Sequence, residues 1–262
     1  MRADKVSKRQ ERREQIRRQD QRNRLLTIGL IIVGALFVVF AIIYPQVKPI
    51  VDVVSVESKP RPNADRNNMG DPNAPIQITE FSDFQCPYCE VFYLETEPLL
   101  VQYYVSTGKV YFTYRTAGNW VSSNIARSLG TTAKTESQDA ALAAYCAADQ
   151  NKFWEMSDAL FANNRDVEDQ GSFSDRRLTT IAGKIAGLDV NTWQDCYDSG
   201  KYEDQVKQDL EDATAAEIDG TPYFVISYTV NGETKTRILH GAHAFSSFQV
   251  ELEAALNEIN AQ

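Results

Sequence analysis

Glycine (13) and proline (9) are sparse in this chain of 262 residues, which excludes a collagen-like or low-complexity protein. Cysteine is sparse too. Four are too few to staple a small disulfide-dense scaffold, but they suffice for one reactive pair and one staple. Histidine occurs twice, and no phosphate-cradling glycine loop, Ser–His–Asp order or carboxylate pair stands out. What is present is 43% hydrophobic and 24% charged, enough to bury a core in one large domain or two small ones. The net charge of −9 hides an asymmetry. Residues 1–24 hold ten basic and four acidic side chains, or +6; the rest, with 17 basic and 32 acidic, carries −15. A body that acidic repels phosphate backbones and argues against a nucleic-acid binder.

Leu25 to Tyr44 is an uncharged run of twenty residues. As a helix rising about 1.5 Å per residue it spans roughly 30 Å, the thickness of a bilayer core. No Ala-x-Ala cleavage pattern follows it, so it reads as an uncleaved signal anchor. The arginine-rich flank at 1–24 then stays in the cytoplasm as a basic tail, and everything beyond Pro45 is exported. The competing reading, a buried core helix, would leave a basic helix abutting an all-apolar one with no amphipathic face.

Residues 45–75 hold six of the nine prolines. That composition reads as a flexible tether over 45–67, placing the domain about 30 Å from the bilayer, with a possible short strand at Val51 to Val56. The globular domain is assigned to 68–262. Ile76 to Phe81 and Lys109 to Arg115 alternate as strands, and Cys86 to about Gly108 is a helix kinked at Pro98. A helical insertion fills about 122–218. Tyr223 to Val230 and Thr234 to His240 form a hairpin about Asn231-Gly232, and Phe245 to Ile259 closes as an amphipathic helix.

The chemistry lies in Cys86-Pro87-Tyr88-Cys89, which follows a strand and opens a helix. Spacing of i, i+3 puts both sulfurs on one face of the first turn, and Pro87 fits the first helical position. The free N–H groups of a helix N-terminus favour thiolate, which makes Cys86 a nucleophile toward another protein's disulfide and Cys89 the group that resolves the intermediate. A zinc site would draw its remaining ligands from Cys146, Cys196, His240 and His243, which contain no second close pair. A heme attachment needs histidine after Cys89, where Glu90 stands. A purely structural local disulfide is the remaining alternative. The residues point to no metal and no cofactor. His240-Gly-Ala-His243 reads as a turn, and Trp154 and Trp193 as core or groove wall.

Phe81-Ser-Asp-Phe-Gln-Cys-Pro-Tyr-Cys89, preceded by Gly70-Asp-Pro-Asn-Ala-Pro75 and followed by Gly220-Thr-Pro222, resembles the DsbA-type branch of the thioredoxin superfamily, and in particular its membrane-anchored bacterial members. The resemblance implies an α/β thioredoxin fold with a helical insertion, preceded by one transmembrane helix. It makes Cys86 the nucleophile, Cys89 the resolving cysteine, and Thr221-Pro222 the cis-proline loop that faces them and pairs with substrate. Pro87, Tyr88 and Tyr223 flank this site and are read as substrate contacts. It matches Glu80 to a buried acid that moves protons at the resolving thiol. Members of this branch often carry a second, structural disulfide. Pairing 86–89 leaves Cys146 with Cys196; two buried free thiols are the alternative.

The implied activity is thiol–disulfide exchange that introduces disulfides into unfolded exported proteins. An integral-membrane quinone-linked oxidase of the DsbB or vitamin K epoxide reductase type would recharge the pair. Strong oxidants of the branch often carry histidine in the central dipeptide, whereas Pro-Tyr also resembles glutaredoxins. A reductase or isomerase of the same fold, and a non-catalytic thioredoxin-like chaperone or assembly module, therefore stand as rivals.

Overall fold

The computed structural model describes residues 2–165 and 167–261, and its packing divides the chain after Val51. The first unit is a single helix, α1 (Arg2–Val47). The basic segment expected as a separate tail and the apolar anchor are therefore one uninterrupted helix. Its stretch Gln15–Pro45 is, among the described residues, the one helix long and apolar enough to cross a membrane. Leu25, Phe37 and Ile42 on it are exposed, as a membrane-facing surface would be.

The second unit is built on a five-stranded sheet: β1 (Asn68–Met69), β2 (Ile76–Ser82), β3 (Val110–Thr116), β4 (Tyr223–Val230) and β5 (Glu233–His240), in spatial order β1-β3-β2-β4-β5. β2 and β3 run parallel, with Glu80 opposite Tyr114, because a helix crosses between them. β4 lies antiparallel to β2 and pairs with β5 through a two-residue turn at Asn231 and Gly232. Both turn residues have positive φ (52° and 82°), the geometry that suits a tight hairpin and that Asn-Gly tolerates.

The crossover from β2 to β3 is one continuous helical run. α2 (Pro87–Val91) and α3 (Glu97–Leu100) are joined and extended by π-helical turns at Phe92–Thr96 and Val101–Val105. Pro98 sits in the first turn of α3, so the expected interruption is absorbed as wider turns and the helix does not stop. Among the described residues six helices fill the insertion: α4 (Trp120–Leu129), α5 (Glu136–Ala148), α6 (Phe153–Asn163), α7 (Asp175–Ala182), α8 (Val190–Asp198) and α9 (Glu203–Ala215). The closing helix is α10 (Phe245–Asn260). Phe92, Phe112, Phe224 and Phe248 meet with centroids 4.5–6.4 Å apart, fixing the crossover helix and α10 to one face of the sheet.

Cys146 on α5 and Cys196 on α8 are joined as a disulfide, Cα–Cα 5.7 Å, closing a loop of 50 residues within the insertion. Beside it the Trp193 indole donates to the Ala143 carbonyl at 2.9 Å, so two helices of the insertion are pinned twice.

Two expectations need correction. No strand forms at 51–56; the extra strand is Asn68–Met69, too short to show alternation in the sequence. Nor is 52–67 a free tether. It lacks helix and strand, as its prolines require, but side chains of α6 bind its backbone. Asn163 accepts from Val54 N (2.8 Å) and donates to Val54 O (3.0 Å), while Asp158 accepts from Lys59 N (2.8 Å) and the Ser58 hydroxyl (2.9 Å). Arg61 lies buried between Asp158 (3.1 Å) and Glu97 (2.5 Å). Backbone groups that cannot pair in a sheet are thus satisfied by buried side chains, and the segment becomes a strap across the domain.

Candidate active site

β2 delivers the chain to the site and a three-residue loop turns it into α2. Asp83 shapes that loop: Oδ1 accepts from Gln85 N (2.9 Å), Oδ2 from Val121 N (3.0 Å), and its carbonyl from Cys86 N (3.0 Å). This is the turn an Asp makes when its side chain captures the backbone two residues on. Cys86 then occupies the N-cap of α2 with extended backbone (φ −72°, ψ 120°), and Pro87 follows inside the first turn, where no N–H is needed. Cys86 is 5% exposed and Cys89 fully enclosed, while Pro87 and Tyr88 lie on the surface. Both thiols are free.

The partner loop arrives from the far side of the sequence. Thr221–Pro222 is a cis peptide at the head of β4, and the Cys86 thiol donates to the Thr221 carbonyl at 3.3 Å. The structure thus brings together Cys86, Cys89, Pro87, Tyr88, Thr221 and Pro222. Tyr223 departs from expectation. It is buried, its hydroxyl donates to the Ala216 carbonyl (3.1 Å), and its ring packs with Phe81, Ala117, Ala213 and Ile218. Tyr223 follows the buried Thr221–Pro222 turn into the centre of the sheet, so its ring fills core where substrate contact was expected.

The two sulfurs are driven apart in acidity. Hydrogen bonds from the Cys89 thiol, the Thr221 side chain and the Cys89 amide hold the Cys86 thiolate, lowering its pKa to about 7 against the cost of burial. Cys89 moves well above the ordinary thiol value, first through burial and then because it donates to Cys86 and faces the Cys86 and Glu80 charges. Glu80 is 3% exposed, and burial, reinforced by the Glu97 charge, raises it to about 8. Burial likewise raises Asp83 to about 6. Its enclosure sets Glu80 apart from an ordinary solvated strand acid.

Several neighbours of the thiols have no signature in the sequence. Gln85, 1% exposed, donates through Nε2 to Ser122 (2.9 Å), Ser137 (2.9 Å) and Asp169 (3.1 Å), and accepts from Asp169 N (2.7 Å). It ties the thiol-bearing loop to α4, α5 and the segment after α6. Ser82 and Tyr114 are enclosed beside Glu80, and Arg61 and Glu97 lie beyond it. Only Asp83, a turn-forming residue three positions before Cys86, carries a readable signal; the rest depend on contacts across the fold. His240 pairs with Asp219 (3.0 Å) on the surface where β5 turns toward α10. Among the described residues no group of three or more His, Cys, Asp or Glu is placed to hold a metal ion.

Comparison with known proteins agrees with this geometry. A family model described as Thioredoxin matches residues 63–238. The probable disulfide bond formation protein D of Bacillus anthracis is 23% identical over 211 residues, covering 80% of this chain and 89% of that protein. Among solved structures, oxidised BdbD from Bacillus subtilis superposes with a TM-score of 0.59 at 19% identity, covering 78% of this chain and all of that one. Wolbachia pipientis alpha-DsbA1 gives 0.61 at 19% identity, covering 77% and 96%. With the family model spanning two thirds of its length, the chain belongs to the thioredoxin family, as a DsbA-like thiol–disulfide oxidoreductase.

Proposed function

We propose that the protein donates disulfides to unfolded exported proteins through Cys86 and Cys89, held outside the cytoplasm by α1 as a single-pass anchor whose N-terminus is cytoplasmic. The observation that carries this reading is the pairing of a lowered thiol at the N-cap of α2 with a buried, raised thiol one turn deeper, facing Thr221–Pro222. In the donating step a substrate thiolate attacks Cys86 Sγ of the Cys86–Cys89 disulfide. The Sγ–Sγ bond breaks, a substrate–Cys86 bond forms, and the electron pair leaves on Cys89, which takes up a proton from Glu80. A second substrate thiolate then attacks the substrate sulfur of the mixed disulfide. Cys86 departs as the thiolate that the helix terminus stabilises. The substrate is oxidised by two electrons and the enzyme reduced by two. An integral-membrane quinone-linked oxidase of the DsbB or vitamin K epoxide reductase type would reoxidise the pair. Exposed Tyr88 and Pro87, with the Thr221–Pro222 loop, form the surface a substrate peptide would meet.

One observation favours the reverse direction, as a reductase or isomerase. Cys86 at about 7 lies near thioredoxin's nucleophile, about 7, and above that of DsbA, about 3.5. The relatives named for disulfide bond formation favour donation. The reduction potential of the full chain in detergent, equilibrated in glutathione buffers, separates the two. A value near about −120 mV supports donation, and one near about −270 mV makes the protein a reductase. A Cys89→Ala variant that accumulates no mixed disulfide through Cys86 would leave only a binding scaffold.

A further inference from the structure

β2 places Glu80 and Ser82 two residues apart, hence on the same face of the sheet, with Ser82 at the edge where the strand gives way to the loop carrying the thiols. Ser82 and Cys89 are both fully enclosed, and Glu80 is nearly so. Across the parallel ladder Glu80 stands opposite Tyr114, whose ring is locked between Phe84 and Phe153. Two oxygens in this pocket, Ser82 Oγ and Tyr114 Oη, are buried without a well-formed hydrogen bond. Enclosing a hydroxyl in this way is unfavourable, so Ser82 adds little to the stability of the pocket in which it sits.

The two groups on which the Ser82 hydroxyl acts are Glu80 and Cys89, each of which it draws toward its ionised form. The other charges facing the pocket are Glu97 from α3, Arg61 from the strap, Cys86 from α2 and Asp83 from the loop. We infer that Ser82 is the proton relay between the Glu80 carboxyl and the Cys89 sulfur, an inference that rests on the assignment of Cys89 as the resolving thiol.

The transfer balances. As the Cys86–Cys89 bond breaks and the electron pair comes to rest on Cys89, the Ser82 hydroxyl gives its proton to that sulfur and takes one from the Glu80 carboxylic acid. When Cys89 attacks a mixed disulfide at Cys86, its proton returns through Ser82 to the Glu80 carboxylate, and the substrate leaves as thiolate. The direction of each transfer is set by affinity. Burial leaves Glu80 protonated at neutral pH, ready to donate, and gives a newly formed Cys89 thiolate the greater hold on a proton.

The test is the rate at which Cys89 resolves a preformed Cys86 mixed disulfide in the full-length protein, followed against pH in single turnover. Ser82→Ala should slow resolution by about a hundredfold or more, the range of acid–base assistance, and remove the pH dependence that Glu80 imposes. Ser82→Thr should restore both, and Ser82→Ala should add nothing to Glu80→Gln. On the unaltered protein, a proton inventory in mixed light and heavy water should be bowed, since two protons move together. A linear inventory, additive effects of the two variants, or a loss produced by Tyr114→Phe but not by Ser82→Ala would each overturn the relay. Formation of the mixed disulfide at Cys86 reports separately on the oxidoreductase reading, which survives every one of those results.

Discussion

The thiol of Cys86 donates to the carbonyl of Thr221 at 3.3 Å, across 135 positions of sequence. That single contact joins the N-terminus of α2 to the loop heading β4, and it places the Thr221 side chain where its hydroxyl holds the Cys86 thiolate once the proton has gone.

Cys86 is therefore expected to be alkylated with a pH midpoint near 7, while Cys89 resists until well above 9. Thr221→Val keeps the side-chain shape and removes the hydroxyl, so it should move the Cys86 midpoint upward. Rates of iodoacetamide labelling between pH 5 and 10, read by mass spectrometry, check both. A midpoint unchanged in the valine variant would reassign the lowering to the hydrogen bonds from Cys89.

Glu80 should make stability depend on pH. Its folded pKa, about 8, lies above the ordinary 4.5, so between those values the folded state binds a proton that the unfolded state has released. Stability then falls as pH rises through that window, and the full penalty is present above pH 8. Glu80→Gln removes it. The variant should melt higher than the parent at pH 8 by about 5 °C or more, and with no such advantage at pH 4. An equal difference at both pH values would mean that packing, not protonation, carries the effect.

The Cys146–Cys196 disulfide closes 50 residues of the insertion and lies on α5 and α8, apart from the thiols at the head of α2. Replacing both cysteines by alanine should cost about 2–4 kcal/mol in denaturant unfolding. The reduction potential of Cys86–Cys89 should stay where it was. Were the potential to move with the double variant, the second pair would be part of the redox chemistry.

Asp158 is the anchor of the strap, accepting from Lys59 N and the Ser58 hydroxyl and pairing with buried Arg61. Asp158→Ala leaves the Arg61 charge with Glu97 as its one remaining carboxylate, and breaking a buried pair costs roughly 3–5 kcal/mol. In that variant hydrogen exchange should quicken first at the Lys59 amide, with Val54 still held by Asn163. Asn163→Ala should release Val54 while sparing Lys59, and loss of both together would show that the strap opens as one piece.

Part of this molecule is legible in its amino-acid sequence. The alternation of Ile76 to Phe81 and of Lys109 to Arg115 and the Asn231-Gly232 turn follow local rules, and each stands within a few residues of where those rules put it; the apolar run after residue 24 is helical as expected, but its helix starts back at Arg2. Cys86 and Cys89 are legible for the same reason, since a helix start and an i, i+3 spacing are written in consecutive residues. The strap is not, because proline-rich sequence reads as flexible unless one knows that Asp158 and Asn163 wait a hundred residues later to satisfy its backbone. Tyr223 is misplaced for a related reason: adjacency to Pro222 in sequence says nothing about which side of β4 meets the core.

The elements, the pair of thiols, the acidic balance and an apolar stretch long enough to cross a membrane are all properties of neighbouring residues, and so could be read before folding. The helix start already marked Cys86 as the more acidic thiol; folding added how far the two separate and which distant groups separate them. That difference arises from burial, from a helix terminus meeting the loop at Thr221, and from enclosed groups such as Glu80 and Ser82 that packing brings to Cys89. Solvent exclusion and hydrogen bonding between distant segments set those proton affinities, and neither exists until the chain has folded.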